Sequence, residues 1–175
     1  MKYVIALLFV ILSCTSSAQV VGSQQIPNQN IDYAGFASLV RQLEPLREAY
    51  RLSEAEFIAM SKEEDTIILD TRSVAKYAEL HIEGAVHLNF SDITSDTLAA
   101  TIPSPATRVL IYCNNNFENA AEPFPMKMAV AALNIPTFVT LYAYGYQNLY
   151  ELGPVLDPAT SSIEFAGESQ RLRLH

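Results

Sequence analysis

Thr66-Ile67-Ile68-Leu69-Asp70-Thr71-Arg72 and Arg108-Val109-Leu110-Ile111-Tyr112-Cys113 are the two stretches whose reading decides the fold. Each is a short, unbroken run of branched and apolar residues that ends in a polar or reactive side chain. A run without polar alternation predicts a strand covered on both faces, the pattern of a parallel sheet. Thr137-Phe138-Val139-Thr140-Leu141-Tyr142 reads as a third strand of the same kind. Between these runs lie helical stretches. Ser53 with Glu56 three residues on predicts a capping box opening a helix. Met126 to Leu133 predicts another helix, with Pro125 and Lys127 at its first turn. Phe36, Leu39, Val40, Leu43 and Leu46 share one helical face, and Pro45 is expected to end or kink that helix. Strands alternating with helices predict an α/β layer structure, one domain with a mainly parallel sheet flanked by helices.

The whole chain of 175 residues suits one domain with a short extension. Half of it is hydrophobic and 17% is charged, which excludes disorder throughout. A net charge of −8 argues against nucleic acid or an anionic membrane as the main partner. Met1 and Lys2 start the chain, and Tyr3 to Leu12 form an apolar run too short to span a bilayer, which needs about 20 residues. With the small polar stretch Ser13 to Ala18, residues 1–18 read as a secretory signal cleaved before Gln19. Residues 19–51 then read as a leader and helical extension, 52–152 as the core domain and 153–175 as a tail. The expected location is periplasmic or secreted. Ile11-Leu12-Ser13-Cys14 also resembles a bacterial lipobox, and in that second reading Cys14 carries lipid and anchors the chain to a membrane. Loss of residues 1–18 removes one charge, Lys2, and moves the net charge from −8 to −9. Either route leaves Cys113 without an internal disulfide partner.

In doubly wound sheets ligands gather at the carboxyl ends of the strands, where Asp70 and Cys113 both fall. Asp70-Thr71-Arg72, then Tyr77, then His81-Ile82-Glu83-Gly84-Ala85-Val86-His87-Leu88 resembles the first motif of the rhodanese-like domain family. Val109-Leu110-Ile111-Tyr112-Cys113 resembles the strand that leads to that family's reactive cysteine, and Gly145 matches a glycine of its closing turn. The resemblance covers roughly Leu52 to Leu152. It implies a rhodanese-like fold and a thiosulfate sulfurtransferase-like activity, in which sulfane sulfur passes through a persulfide on Cys113. The substrate is then a small sulfur-containing anion or a thiol acceptor, and neither metal nor organic cofactor is implied. Asp70, Arg72, His81 and Gly84 take structural roles in such a domain. Backbone N–H groups of Asn114, Asn115, Asn116, Phe117, Glu118 and Asn119 form the expected anion cradle, lowering the thiol pKa.

The stretch after Cys113 departs from the family's pattern. It is longer and holds no arginine or lysine before Lys127, while Glu118 and Glu122 add negative charge. Lys127 is the expected partial substitute for the missing arginine. Phosphoryl transfer at Cys113 loses its oxyanion clamp without that arginine. Two other readings stand beside sulfur transfer: an exported binding module that recognises a protein partner or small ligand through the long loop, and a thiol redox sensor. His81 and His87 do not have the spacing of a metal pair on one helix. The aromatic cluster Phe138, Tyr142, Tyr144, Tyr146 and Tyr150 reads as packing around the last strand.

Overall fold

Branched residues without polar alternation can only be satisfied by cover on both sides, and the computed structural model, which describes residue 26 and residues 28–169, places them so. Thr66–Asp70 and Arg108–Tyr112 are the central neighbours of a five-stranded sheet, paired in parallel from Thr66↔Arg108 to Asp70↔Tyr112. In chain order the main elements are α1 (Tyr33–Ala49), β1 (Arg51–Leu52), α2 (Glu54–Ser61), β2 (Thr66–Asp70), α3 (Val74–Glu79), β3 (His81–Ile82), β4 (Val86–His87), α4 (Ser95–Thr101), β5 (Arg108–Tyr112), α5 (Asn134–Ala143), β6 (Leu149–Leu152) and β7 (Phe165–Ala166). The sheet runs β1-β6-β5-β2-β4, with every pairing parallel. Strands β3 and β7 form a separate antiparallel pair. The chain divides at Asp32 into two units; before it, Asn30 N–H bonds Asn28 Oδ1 in a short turn. The expected signal segment and Cys14 lie outside the described residues.

Successive residues of the strands point to opposite faces, and each face has its own core. Leu69, Val109, Ile111 and Leu149 meet Leu43 of α1, Leu98 of α4 and Phe138 and Leu141 of α5. Ile68, Leu110, Tyr112 and Leu152 meet Phe57 of α2, together with Ile82, Phe117 and Phe124. The capping box of Ser53 and Glu56 is formed, with Ser53 N–H donating to Glu56 Oε2 at 2.8 Å.

Three local expectations are corrected. Residues 137–142 are not a strand but the body of α5, which buries Thr137, Phe138, Val139 and Leu141. A helix covered on most of its surface shows the same unbroken apolar run as a buried strand, so periodicity did not separate them. The strand expected there is instead β6, and Gly145 belongs to the turn between the two. Its φ of +93° follows the last turn of α5, where Tyr146 N–H reaches back to Leu141 O at 3.0 Å. Residues 126–133 are not a helix either: only Ala129–Ala131 make a 3-10 turn. Met126, Met128 and Val130 are exposed, so the segment has no buried face to stabilise a helix. Lastly, α1 continues through Pro45 to Ala49. Packing of Leu39, Leu43 and Leu46 on the core offsets the hydrogen bond that Pro45 cannot make.

Candidate functional site around Cys113

Cys113 follows β5 directly, at the carboxyl edge of the sheet, and its neighbours explain its position. The chain makes one 3-10 turn at Asn114–Asn116. Asn116 holds that turn from inside: its Oδ1 accepts from Cys113 N–H at 2.9 Å and from Asn134 Nδ2 at 3.2 Å. Its Nδ2 donates to Leu152 O at 2.7 Å and Pro154 O at 3.2 Å, bridging to the end of β6. Asn115 clasps the returning chain, with Nδ2 donating to Lys127 O and Oδ1 accepting from Lys127 N–H. Asn115 and Asn116 therefore work mainly as loop braces, whereas Asn114 Oδ1 is buried without a hydrogen-bond partner.

The thiol is 1% exposed. Burial pushes its pKa up from the usual thiol value, and the nearby Glu151 charge adds to the rise. Backbone N–H groups of Asn134, Asn115 and Leu133 face the sulfur and pull the other way without winning. The expected lowering of the pKa is thus corrected, because desolvation outweighs the donors. The cradle differs as well. Phe117 and Glu118 direct their N–H groups to Asn114 O and Leu156 O, while Asn116 N–H is shared between Cys113 O and the Cys113 side chain. Two of the donors at sulfur come instead from the start of α5, twenty residues along the chain, where no local spacing could reveal them. Pro136 near that point, a residue favoured in a first turn, is the available signal.

The other expected residues separate into distinct places. Phe117 is buried in the core against Phe124, with ring centroids 4.3 Å apart, and packs rather than lining the cavity. Glu118 and Asn119 face solvent, and Asn119 Nδ2 donates to Asp157 Oδ2. Asp70 and Arg72 form a buried ion pair in which Arg72 also donates to Leu80 O and Pro123 O. His81 stacks on Tyr77 at 3.8 Å between centroids, and Gly84 turns the chain between β3 and β4 with φ +79°. Lys127 sits in irregular chain, not in the first turn of a helix, since Asn115 takes its N–H.

A cavity of about 450 Å³ opens beside the loop, lined by Thr71, Arg72, Ser73, Asn89, Ser91, Asn114, Lys127 and Leu133 among others. It lies where the segments after β2, β4 and β5 converge. Lys76 also lines it, but its ammonium is engaged by Glu79 at 2.6 Å and by Glu122 O. Lys127 is the remaining cationic residue of the lining, Arg72 being paired with Asp70. Among the described residues no cluster of three histidine, cysteine or acidic side chains is arranged to hold a metal ion, and no helix is long and apolar enough to cross a membrane.

A family model described as "Rhodanese-like domain" matches residues 53–152. No curated protein matches this chain. Among solved structures, the rhodanese-like domain of the Alr3790 protein from Anabaena sp is 16% identical with a TM-score of 0.48, covering 69% of this chain and 81% of that one. The BH2092 protein from Bacillus halodurans is 20% identical over 68% of this chain and 75% of that one, TM-score 0.43. Protein hp1203 from Helicobacter pylori is 21% identical over 71% of this chain and 94% of that one, TM-score 0.44.

Proposed function

Because this chain belongs to the rhodanese-like domain family, we propose that Cys113 carries sulfane sulfur as a persulfide. The observation that carries the reading is the place of Cys113 at the carboxyl end of β5, with the Asn116 N–H on its side chain and the main-chain donors of Asn134, Asn115 and Leu133 acting to lower its pKa. Backbone donors aimed at one atom favour negative charge there, on a thiolate or on the outer sulfur of a persulfide. The thiolate attacks the outer sulfur of thiosulfate, the new S–S bond forms, and sulfite leaves with the electron pair of the broken bond. Cyanide or a thiolate then attacks the outer sulfur of the persulfide, and the Cys113 thiolate is the leaving group. The cavity beside Asn114, Leu133 and Lys127 does not itself reach the buried Cys113, so a sulfur donor entering there meets the thiol only when Asn114 or Leu133 moves aside. With the thiol pKa raised, sulfur loading quickens as pH climbs, because the reactive thiolate becomes more populated.

The test is thiocyanate formation from thiosulfate and cyanide, with the Cys113→Ser variant alongside, together with the intact mass after thiosulfate alone. A gain of roughly 32 Da, one sulfur atom, in the wild type only is the expected result. Equal rates in the two proteins and no added mass remove the reading. A second reading, a protein-binding module with little catalysis, is favoured by the exposed Met126, Met128 and Val130 in the segment whose Pro125 and Lys127 line the cavity. It predicts that capture of a protein partner survives Cys113→Ser and is lost when those three residues become serine.

A further inference from the structure

Cys113 is reached by a second line of contacts that starts outside the family match. Glu151 of β6 is 1% exposed, and Arg47 of α1 grips it with two bonds, Nε to Oε2 at 3.1 Å and Nη2 to Oε1 at 2.8 Å. Arg51 Nε lies 3.3 Å from the same Oε1, and Arg51 Nη2 donates to Gly153 O at 3.1 Å. Main-chain bonds from Glu151 N–H to Tyr50 O and from Gly153 N–H to Leu52 O complete this hold. The opposite side of the same strand end is held by Asn116 through Leu152 O and Pro154 O, and Asn116 carries the Cys113 N–H. Ile111 stands beside Glu151 in the sheet register, and the alternation along β5 puts Cys113 on the same face as that carboxylate.

We propose that Arg47 and Glu151 are positioning residues of Cys113: their ion pair fixes the strand end on which Asn116 hangs the cysteine loop, and it offsets part of the charge of the carboxylate that shares the thiol's face. The functional unit then extends back to α1, beyond residues 53–152. The charged groups around Glu151 are Arg47 on α1, Glu48 on the same helix and Arg51 on β1, with Cys113 itself at the end of β5. Glu151 disfavours the thiolate even when paired, and Arg47 and Arg51 beside the carboxylate offset part of that effect.

The proposal rests on Cys113 being the reacting group, but its readout needs no sulfur transfer. The rate of Cys113 alkylation by iodoacetamide, a neutral reagent, is measured against pH in the full chain. Arg47→Met should move the midpoint upward and slow alkylation at pH 8 by about three- to tenfold. Glu151→Gln should move it downward, and the Arg47→Met/Glu151→Gln double variant should return near the wild type. Arg47→Lys keeps the charge and should shift the midpoint least. Opposite shifts from the two single variants are not what loss of packing would give. Unchanged midpoints, or shifts of both single variants in one direction, overturn the proposal. If Arg47→Met does not fold, Glu151→Gln alone decides it through the sign of its shift. Alkylation that behaves as stated while no thiocyanate forms would sink sulfur transfer and leave the positioning role standing.

Discussion

Arg72 uses its guanidinium in three directions at once: to both oxygens of Asp70, to Leu80 O after α3, and to Pro123 O in the long loop. Its guanidinium carbon also lies 4.4 Å from the centroid of the Phe124 ring. Burial works to lower the Arg72 pKa, yet the Asp70 carboxylate beside it wins and raises it. A buried charge left without its partner is far costlier than the pair, so Arg72→Met should destabilise by about 3–5 kcal/mol, read from urea unfolding. Tyr112 completes this cluster, donating its hydroxyl to Asp70 and accepting from Ile82 N–H at 3.2 Å. Burial first, and then the Asp70 charge, push its pKa well above the ordinary phenol value. The sign follows from linkage: the folded state holds this proton more tightly than the unfolded chain. That contribution is complete below the ordinary phenol pKa and is lost as pH rises through the raised one. Tyr112→Phe should therefore lower the melting temperature near neutrality, where a hydrogen bond to Asp70 disappears. It should also flatten the fall of melting temperature at strongly alkaline pH. An equally steep alkaline fall would show that Tyr112 is not the titrating group.

The elements that read correctly from sequence are those with one local cause. The runs of β2 and β5 needed only their own branched residues, and α2 only the capping box of Ser53 and Glu56. Cys113 and Asp70 at strand ends followed from the same pattern. What stayed illegible depended on distant partners. α5 resembles a strand in sequence because the sheet and α1 cover it on most sides, a circumstance set by tertiary packing. The thiol donors at Leu133 and Asn134 come to Cys113 only because the intervening loop folds back, fastened by Asn115 to Lys127. Asn116 braces that loop, so Asn116→Asp is a sharp probe. It keeps the acceptor for Cys113 N–H but removes the donors to Leu152 O and Pro154 O. Placing a carboxylate against those carbonyls should cost about 2–4 kcal/mol, measured by chemical denaturation. Gly145 offers a cleaner backbone test. A Cβ there meets nothing within 4 Å, so Gly145→Ala suffers only from the φ of +93°, a loss of about 1–2 kcal/mol.

At the scale of the molecule, the region that matches the family does not close the fold alone. Residues before 53 supply Leu52, which pairs with Leu152 at one margin of the sheet, and Leu43, buried at 2% exposure under α1. A chain beginning at residue 53 would lack both, and would bare the edge of β6 and the carboxylate of Glu151 that residues 43–52 cover. It should show no cooperative thermal transition, whereas the full chain should melt in one. The two outermost strands of the sheet, β1 and β4, are each only two residues long. So little free backbone is a poor template for another chain to join. Self-association of the native protein then has nowhere to start on the sheet, and any growth of fibrous material must wait for β5 or β2 to be laid bare. Its rate should accordingly rise and fall with the population of opened molecules rather than with the concentration of intact ones.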